Sequence, residues 1–269
     1  MLRSKLSAVC YCLAIGATVL LTACGSEPVK DKTLAMSPTA IYADAKDSMA
    51  SGQWDKAIPM LEKLESRAAG TPLAQQAQVE RAYAQYRTGE PAQAIVTLER
   101  FMKLNPASPV LDYAIYLKGI INFNDDLGLF SSITQQDLTE RDQKAAKESY
   151  ESFKELRDRF PDSKYTPDAI LRMNYIVSAL AQYEVHVARY YYSRGAYVAA
   201  INRAQTALSE YREVPAHEEA LYILYKSYDA LGMTQARDDA LRVLNATYPH
   251  SEILAKGPKT TTQAWWKLW

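Results

Sequence analysis

A short break recurs along this chain, and it limits the fold more than any other feature. Ser51-Gly52-Gln53-Trp54-Asp55-Lys56-Ala57 is echoed 37 residues later by Thr88-Gly89-Glu90-Pro91-Ala92-Gln93-Ala94. Arg194-Gly195-Ala196-Tyr197-Val198-Ala199-Ala200 repeats it. After a further 37 residues comes a worn copy, Leu231-Gly232-Met233-Thr234-Gln235-Ala236-Arg237. Each part of the unit has a physical reading. Gly takes the positive-φ position that ends one helix. Two residues on, a bulky or turn residue begins the next helix, and three further a small Ala lets two helices approach closely. Ala45, Ala82 and Ala188 stand twelve residues before those small positions, where the worn copy has Tyr225. Large residues then fill the second helix four and seven places on: Leu61 and Leu64, Leu98 and Phe101, Leu241 and Leu244. The third copy has Ala204 and Ala207 instead, and Pro106 and Pro249 stop two of the units. From Pro38 onward no run alternates as a strand would. The expected fold class is all-α, a helical-repeat solenoid of about five helix pairs.

The offsets of Gly, aromatic and Ala resemble those of the tetratricopeptide repeat. The 37-residue spacing is slightly longer than the roughly 34 residues usual for that repeat. N-terminal repeats are expected over 38–161 and C-terminal repeats over 162–250. The third pair is stretched, with helices expected at 111–123 and 144–160 and an insertion at 124–143 between them. A connection of that length is uncommon unless functional or disordered. Its apolar Leu127, Leu129, Phe130 and Ile133 either form a contact loop or fold back on the body. The fourth pair opens with a long helix, about 167–194, and the fifth runs from about 215 to 248. The 19 Tyr read best as packing between helices with wet hydroxyls. Residues 251–269 form a tail holding Trp265, Trp266 and Trp269. Those indoles either cap the last repeat or anchor into a partner or a lipid interface.

Ahead of the body, Arg3 and Lys5 precede an uncharged, mostly apolar run over 6–21, closed by Leu21-Thr22-Ala23-Cys24. The pattern is that of a signal peptide over 1–23, with a lipobox that makes Cys24 the lipidated first residue of the mature chain. An uncleaved anchor helix is the alternative. Asp after the Cys resembles an inner-membrane retention signal, and Gly25 stands there instead, which points to the outer membrane. Residues 24–37 read as a flexible tether. Cys10 and Cys12 leave with the signal, so the mature body has no free thiol and no disulfide. Losing Arg3 and Lys5 takes the balance from 31 basic and 31 acidic residues to 29 against 31, a net of −2. No basic face for nucleic acid is implied. His186, His217 and His250 fall in no metal-ligand spacing, and no nucleophile or phosphate-loop motif occurs. Neither a metal nor another cofactor is expected, nor an enzyme.

One stretch is more specific than the repeat. Residues 181–203 read AQYEVHVARYYYSRGAYVAAINR, which is similar to the A-x-Y-E…V-A-x-Y-Y…R-G-A-[WY]-V-A…N-R run of the BamD family. Ile41-Tyr42 with Gly52-Gln53-Trp54, and Leu104-Asn105-Pro106 before Asp112-Tyr113, match as well. Gln143 departs from the family's frequent Pro, and the Trp-rich tail lies outside the shared core. The resemblance implies a non-enzymatic scaffold lipoprotein of the β-barrel assembly complex, lipid-anchored in the outer membrane and facing the periplasm. Its C-terminal repeats would bind a periplasmic domain of the barrel-forming subunit BamA, with Arg203 and Arg194 as contacts. A guanidinium can clamp a partner carboxylate bidentately; the alternative is that Arg203 pairs within its own repeat. The N-terminal repeats would receive the C-terminal signal of unfolded outer-membrane barrel proteins in a groove lined around Tyr42, Tyr83 and Tyr86. Other lipoproteins of the complex would dock on the body. A pilotin-type repeat lipoprotein serving a secretin, or a cell-wall enzyme, are the competing readings.

Overall fold

Five helical hairpins follow one another along the described residues, 32–123 and 140–257 of the computed structural model. They are α1 (Pro38–Ala50) with α2 (Trp54–Arg67), and α3 (Pro72–Arg87) with α4 (Pro91–Leu104). Next come α5 (Leu111–Asn122) with α6 (Glu140–Arg159), and α7 (Thr166–Ser193) with α8 (Tyr197–Glu210). The last pair is α9 (Ala216–Ala230) with α10 (Thr234–Thr247), and the short α11 (Glu252–Lys256) follows. A 3-10 turn, Lys32–Ala35, leads into α1. The signal segment, Cys24, insertion residues 124–139 and the Trp-bearing end from 258 lie outside the described residues.

The breaks form as their chemistry requires. Gly52, Gly89, Gly195 and Gly232 have φ of +73°, +82°, +74° and +68°. A Cβ at any of the four would meet nothing within 4 Å, so conformation, not room, selects glycine there. The same hydrogen bond closes every break: Gln53 N–H to Ser48 O, Glu90 to Gln85, Ala196 to Tyr191 and Met233 to Tyr228, at 2.8–3.0 Å. With the Gly N–H bonding three residues back each time, this is the Schellman helix end. The first helices of the first two pairs, α1 and α3, start from equally local signals. Ser37 and Thr71 hydroxyls accept the N–H groups of Ala40 and Ala74, with Pro38 and Pro72 in the first turn.

Packing follows the small positions. Ala45 with Ala57, Ala82 with Ala94, and Ala188 with Ala200 have no exposed surface, and Leu61, Leu64, Leu98 and Phe101 are buried beside them. The worn fifth pair differs. Arg237 takes the place of the Ala and instead binds Asp229 and Asp238, at 3.4 and 2.7 Å. In the third pair Gly119 lies flush against the Phe153 ring, where a Cβ would come within 2.4 Å of Cε1. Ser149 Oγ donates to the Gly119 carbonyl at 2.8 Å, tying α6 to α5.

Helix α6 begins at Glu140, four residues before the expected 144, so the insertion is shorter than 124–143. The long α7 lies against α6, α8 and α9, and first helices also meet directly where α3 touches α5. No helix among the described residues is long and apolar enough to cross a membrane.

Candidate functional site

The first helices α1, α3 and α5 leave a cleft of about 180 Å³ between them. Its walls are Met49 of α1, Val79 and Tyr83 of α3, Val110, and Tyr113 of α5; Lys46, Gln76 and Glu80 supply the polar groups. Glu80 is 8% exposed. Its Oε1 accepts from the Tyr42 hydroxyl at 2.9 Å, from Lys46 Nζ at 3.1 Å and from Gln76 Nε2 at 3.1 Å. The buried Oε2 has no hydrogen-bond partner. Burial, then the bond to Glu80 and its charge, push the Tyr42 hydroxyl up to about 12. Burial likewise raises Tyr113 to about 12.

Tyr83 joins the first two repeats. It packs edge-on against Trp54, ring centroids 5.5 Å apart, and its hydroxyl accepts from Arg87 Nη1 at 2.9 Å. Arg87 in turn lies 4.6 Å over the Trp54 ring. Of the three tyrosines expected to line the groove, Tyr83 does so, and Tyr42 holds its floor residue. Tyr86 packs against the main core, as Tyr83 also does, but is not among the lining residues.

From Tyr113 an aromatic ladder continues towards α7. Tyr165 lies 5.3 Å from Tyr113 and stacks on Tyr116 at 4.8 Å. Tyr116 O–H and Arg172 Nε both donate to Asp168 Oδ2 at 2.6 Å, and Arg172 lies over Phe123. Burial and then the Asp168 bond push Tyr116 up to about 12. Burial also pushes Asp168 up, but the bonds from Tyr116 and Arg172 outweigh it and hold the carboxyl below its ordinary value.

The C-terminal repeats hold the second set of residues. Arg203 of α8 donates through Nη1 to Glu184 of α7, at 3.1 Å to Oε2 and 3.5 Å to Oε1. The Glu184 side chain is 7% exposed and that of Arg203 45%, so the pair is buried on one side only. Hydrogen bonding to Glu184 raises the Arg203 pKa. The pairing within its own repeat is thus present. Arg194 sits apart, exposed at the α7 break with its guanidinium 5.3 Å over the Tyr190 ring. A pair that the sequence did not suggest, Arg189 with Glu219, binds bidentately at 2.5 and 2.7 Å and ties α7 to α9.

The YfiO family of outer membrane lipoproteins matches residues 34–252. The outer membrane protein assembly factor BamD of Neisseria meningitidis serogroup A is 40% identical over 261 residues, covering 96% of this chain and 98% of its own. The chain belongs to the BamD family. BamD proteins of Xylella fastidiosa strain 9a5c and Vibrio cholerae are each 34% identical, covering 90% and 81% of this chain and 83% and 89% of theirs. A kinesin light chain with TPR-like repeats from Podosopora anserina has a TM-score of 0.34 at 16% identity, covering 80% of this chain and all of its own. So low a likeness carries no weight beside the hairpins themselves. Residues 181–203 occupy the second half of α7, the Gly195 break and the start of α8, and contain both members of the Glu184–Arg203 pair. In this BamD-family chain no group of His, Cys, Asp and Glu among the described residues is arranged to hold a metal ion.

Proposed function

We propose that this chain is an assembly factor for outer membrane β-barrel proteins, acting as a scaffold and not as an enzyme. The observation that carries the reading is similarity over nearly the whole length to BamD assembly factors, together with the family match over 34–252. In this reading Cys24 carries the lipid that holds the chain on the outer membrane, with the repeats in the periplasm. The lipobox Leu21-Thr22-Ala23-Cys24 supports that assignment.

Binding falls to two surfaces. Unfolded barrel segments enter the first-helix cleft beside Tyr42 and Tyr83, where apolar walls surround one carboxylate and one ammonium. BamA docks on the C-terminal repeats through Arg203 and Arg194, while other lipoproteins of the complex bind elsewhere on the body. The half-exposed Arg203, held by buried Glu184, supports such a contact, since a pre-positioned guanidinium loses little freedom on binding. Depleting the protein in its host should lower the amount of folded, heat-modifiable barrel protein in the outer membrane. A photoreactive C-terminal peptide of a barrel protein should crosslink within residues 38–106. Unchanged barrel levels with a mislocalised secretin would instead favour the pilotin reading.

A further inference from the structure

The chain that leads from Cys24 to the first helix is fastened to the body before that helix begins. In the 3-10 turn Lys32–Ala35 the Thr33 carbonyl accepts from Arg67 Nη1 at 2.5 Å and from the Met36 N–H at 3.1 Å. Arg67 Nη2 reaches the Leu34 carbonyl at 3.5 Å. Thr33 is 8% exposed, and Met36 packs on the core of the first pair, around Ile41, Leu61 and Leu64. Arg67 stands in the last turn of α2 and makes no ion pair among the described residues; its bonds go to this turn. They are charge-assisted, and a cation there also suits the negative end of α2.

The hairpin does not need this contact. Helix α1 has its own start at Ser37 and Pro38, and it meets α2 at Ala45 and Ala57. What the contact changes is the length of chain between lipid and body. Cys24 and Lys32 are eight residues apart and, whatever path joins them, span at most about 26–29 Å. With the turn undocked, the first fixed residue would be Pro38, fourteen residues from Cys24, and the limit would rise to about 46–50 Å. The difference, about 20 Å, matches the length of α2 itself, about 21 Å for its 14 residues. Lys46 and Met49 of the cleft lie on α1, so the shorter limit holds for the N-terminal binding surface too.

We propose that Arg67 is a clamp on the lipid tether: by holding the Thr33 and Leu34 carbonyls it sets the working length of the tether at eight residues and keeps the first pair close to the lipid surface. The clamp is conformational and needs no partner. The proposal rests on the reading above that Cys24 carries the lipid, and it names the residue that fixes how far from the bilayer the body can stand.

The test uses the full lipidated chain in vesicles of phosphatidylethanolamine and phosphatidylglycerol that carry a sparse headgroup acceptor dye. The donor dye is placed on Ala69→Cys, an exposed position two residues past Arg67. Arg67→Ala should speed hydrogen exchange of the Met36 amide about tenfold and lower energy transfer to the bilayer, while the melting curve stays that of the parent. Six Gly and Ser residues inserted after Asp31 lengthen the tether with the clamp intact. They should lower the transfer as far as Arg67→Ala does and leave Met36 exchange as in the parent.

Unchanged Met36 exchange in Arg67→Ala would mean that burial of Thr33 fastens the turn without the guanidinium, and would overturn the proposal. Faster exchange with unchanged transfer would mean that the tether does not set the height of the body, and would overturn it as well. The mass of the N-terminal peptide reports acylation of Cys24 separately. An unmodified Cys24 would remove the lipid reading itself, whereas an acylated Cys24 with either contrary result would remove the clamp alone.

Discussion

Replacing Arg203 with Leu separates the two roles open to that residue. In the folded chain its Nη1 faces both oxygens of Glu184, at 3.1 and 3.5 Å, and the Glu184 side chain is only 7% exposed. The substitution therefore strands a buried carboxylate. Breaking a fully buried pair costs about 3–5 kcal/mol and an exposed one about 0–1 kcal/mol. Arg203 is 45% exposed, so water screens one side and the cost should fall between these limits, about 1–2 kcal/mol. For a body of this size that lowers the melting temperature by about 2–8 °C. Circular dichroism melts of the parent, Arg203→Leu, Glu184→Gln and the double variant form the assay. The double variant removes the stranded charge and should recover most of the loss, giving a coupling of about 1 kcal/mol. BamA recovery is then read on the same four proteins. If Arg203 touches BamA, the double variant regains stability but not the partner. Recovery of BamA with the double variant would refute direct contact, and an unshifted melt for Arg203→Leu would refute the energetic reasoning.

Two glycines should respond for opposite reasons. Gly119→Ala gains about 1 kcal/mol of helix propensity, yet its Cβ would fall 2.4 Å from buried Phe153. Overpacking of about 1–3 kcal/mol should win, and Phe153→Leu should restore most of the loss in chemical denaturation; a stabilised Gly119→Ala would contradict the packing. Gly195→Ala, with open space but φ of +74°, should cost about 1 kcal/mol, and Gly195→Asn less; equal stability of all three would remove the conformational argument. Tyr42, Tyr113, Tyr116 and Tyr211 are all raised to about 12, burial being the first cause. The folded state thus keeps protons that the unfolded chain releases near pH 10. The stability they confer is intact below pH 10 and should fall as pH rises from 10 to about 12. The melting temperature should fall between pH 10 and about 12, and less steeply in Tyr42→Phe; a melting temperature unchanged across that range would refute it.

The hairpins could be read in the sequence because their determinants are local. A Gly at positive φ, a helix start two residues on and an Ala three further all lie within one break. Gly52, Gly89, Gly195 and Gly232 close through the same pair of hydrogen bonds. Even the worn copy kept its break, because a Schellman end needs the Gly and not the small Ala that Arg237 replaced. The cleft was less legible. Glu80 meets Lys46 and Tyr42 across 34 and 38 residues, and a charge on the inner face of α3 looks in sequence like any solvated one. Tyr83 and Tyr86 lie three residues apart on that helix and both pack against the core, and only the placement of the neighbouring helices brings Tyr83 to the cleft as well. Arg203 could be singled out from one short motif, but its partner Glu184 emerged only from the fold. The start of α6 was missed because no residue near Gln143 marks a boundary.

Isolation of the protein from gently solubilised membranes, through a tag placed after Trp269, tests the assembly role most directly. We predict that a BamA-like barrel protein comes with it, in lower yield for Arg203→Leu. Recovery of a secretin without any BamA-like protein would contradict the assembly role.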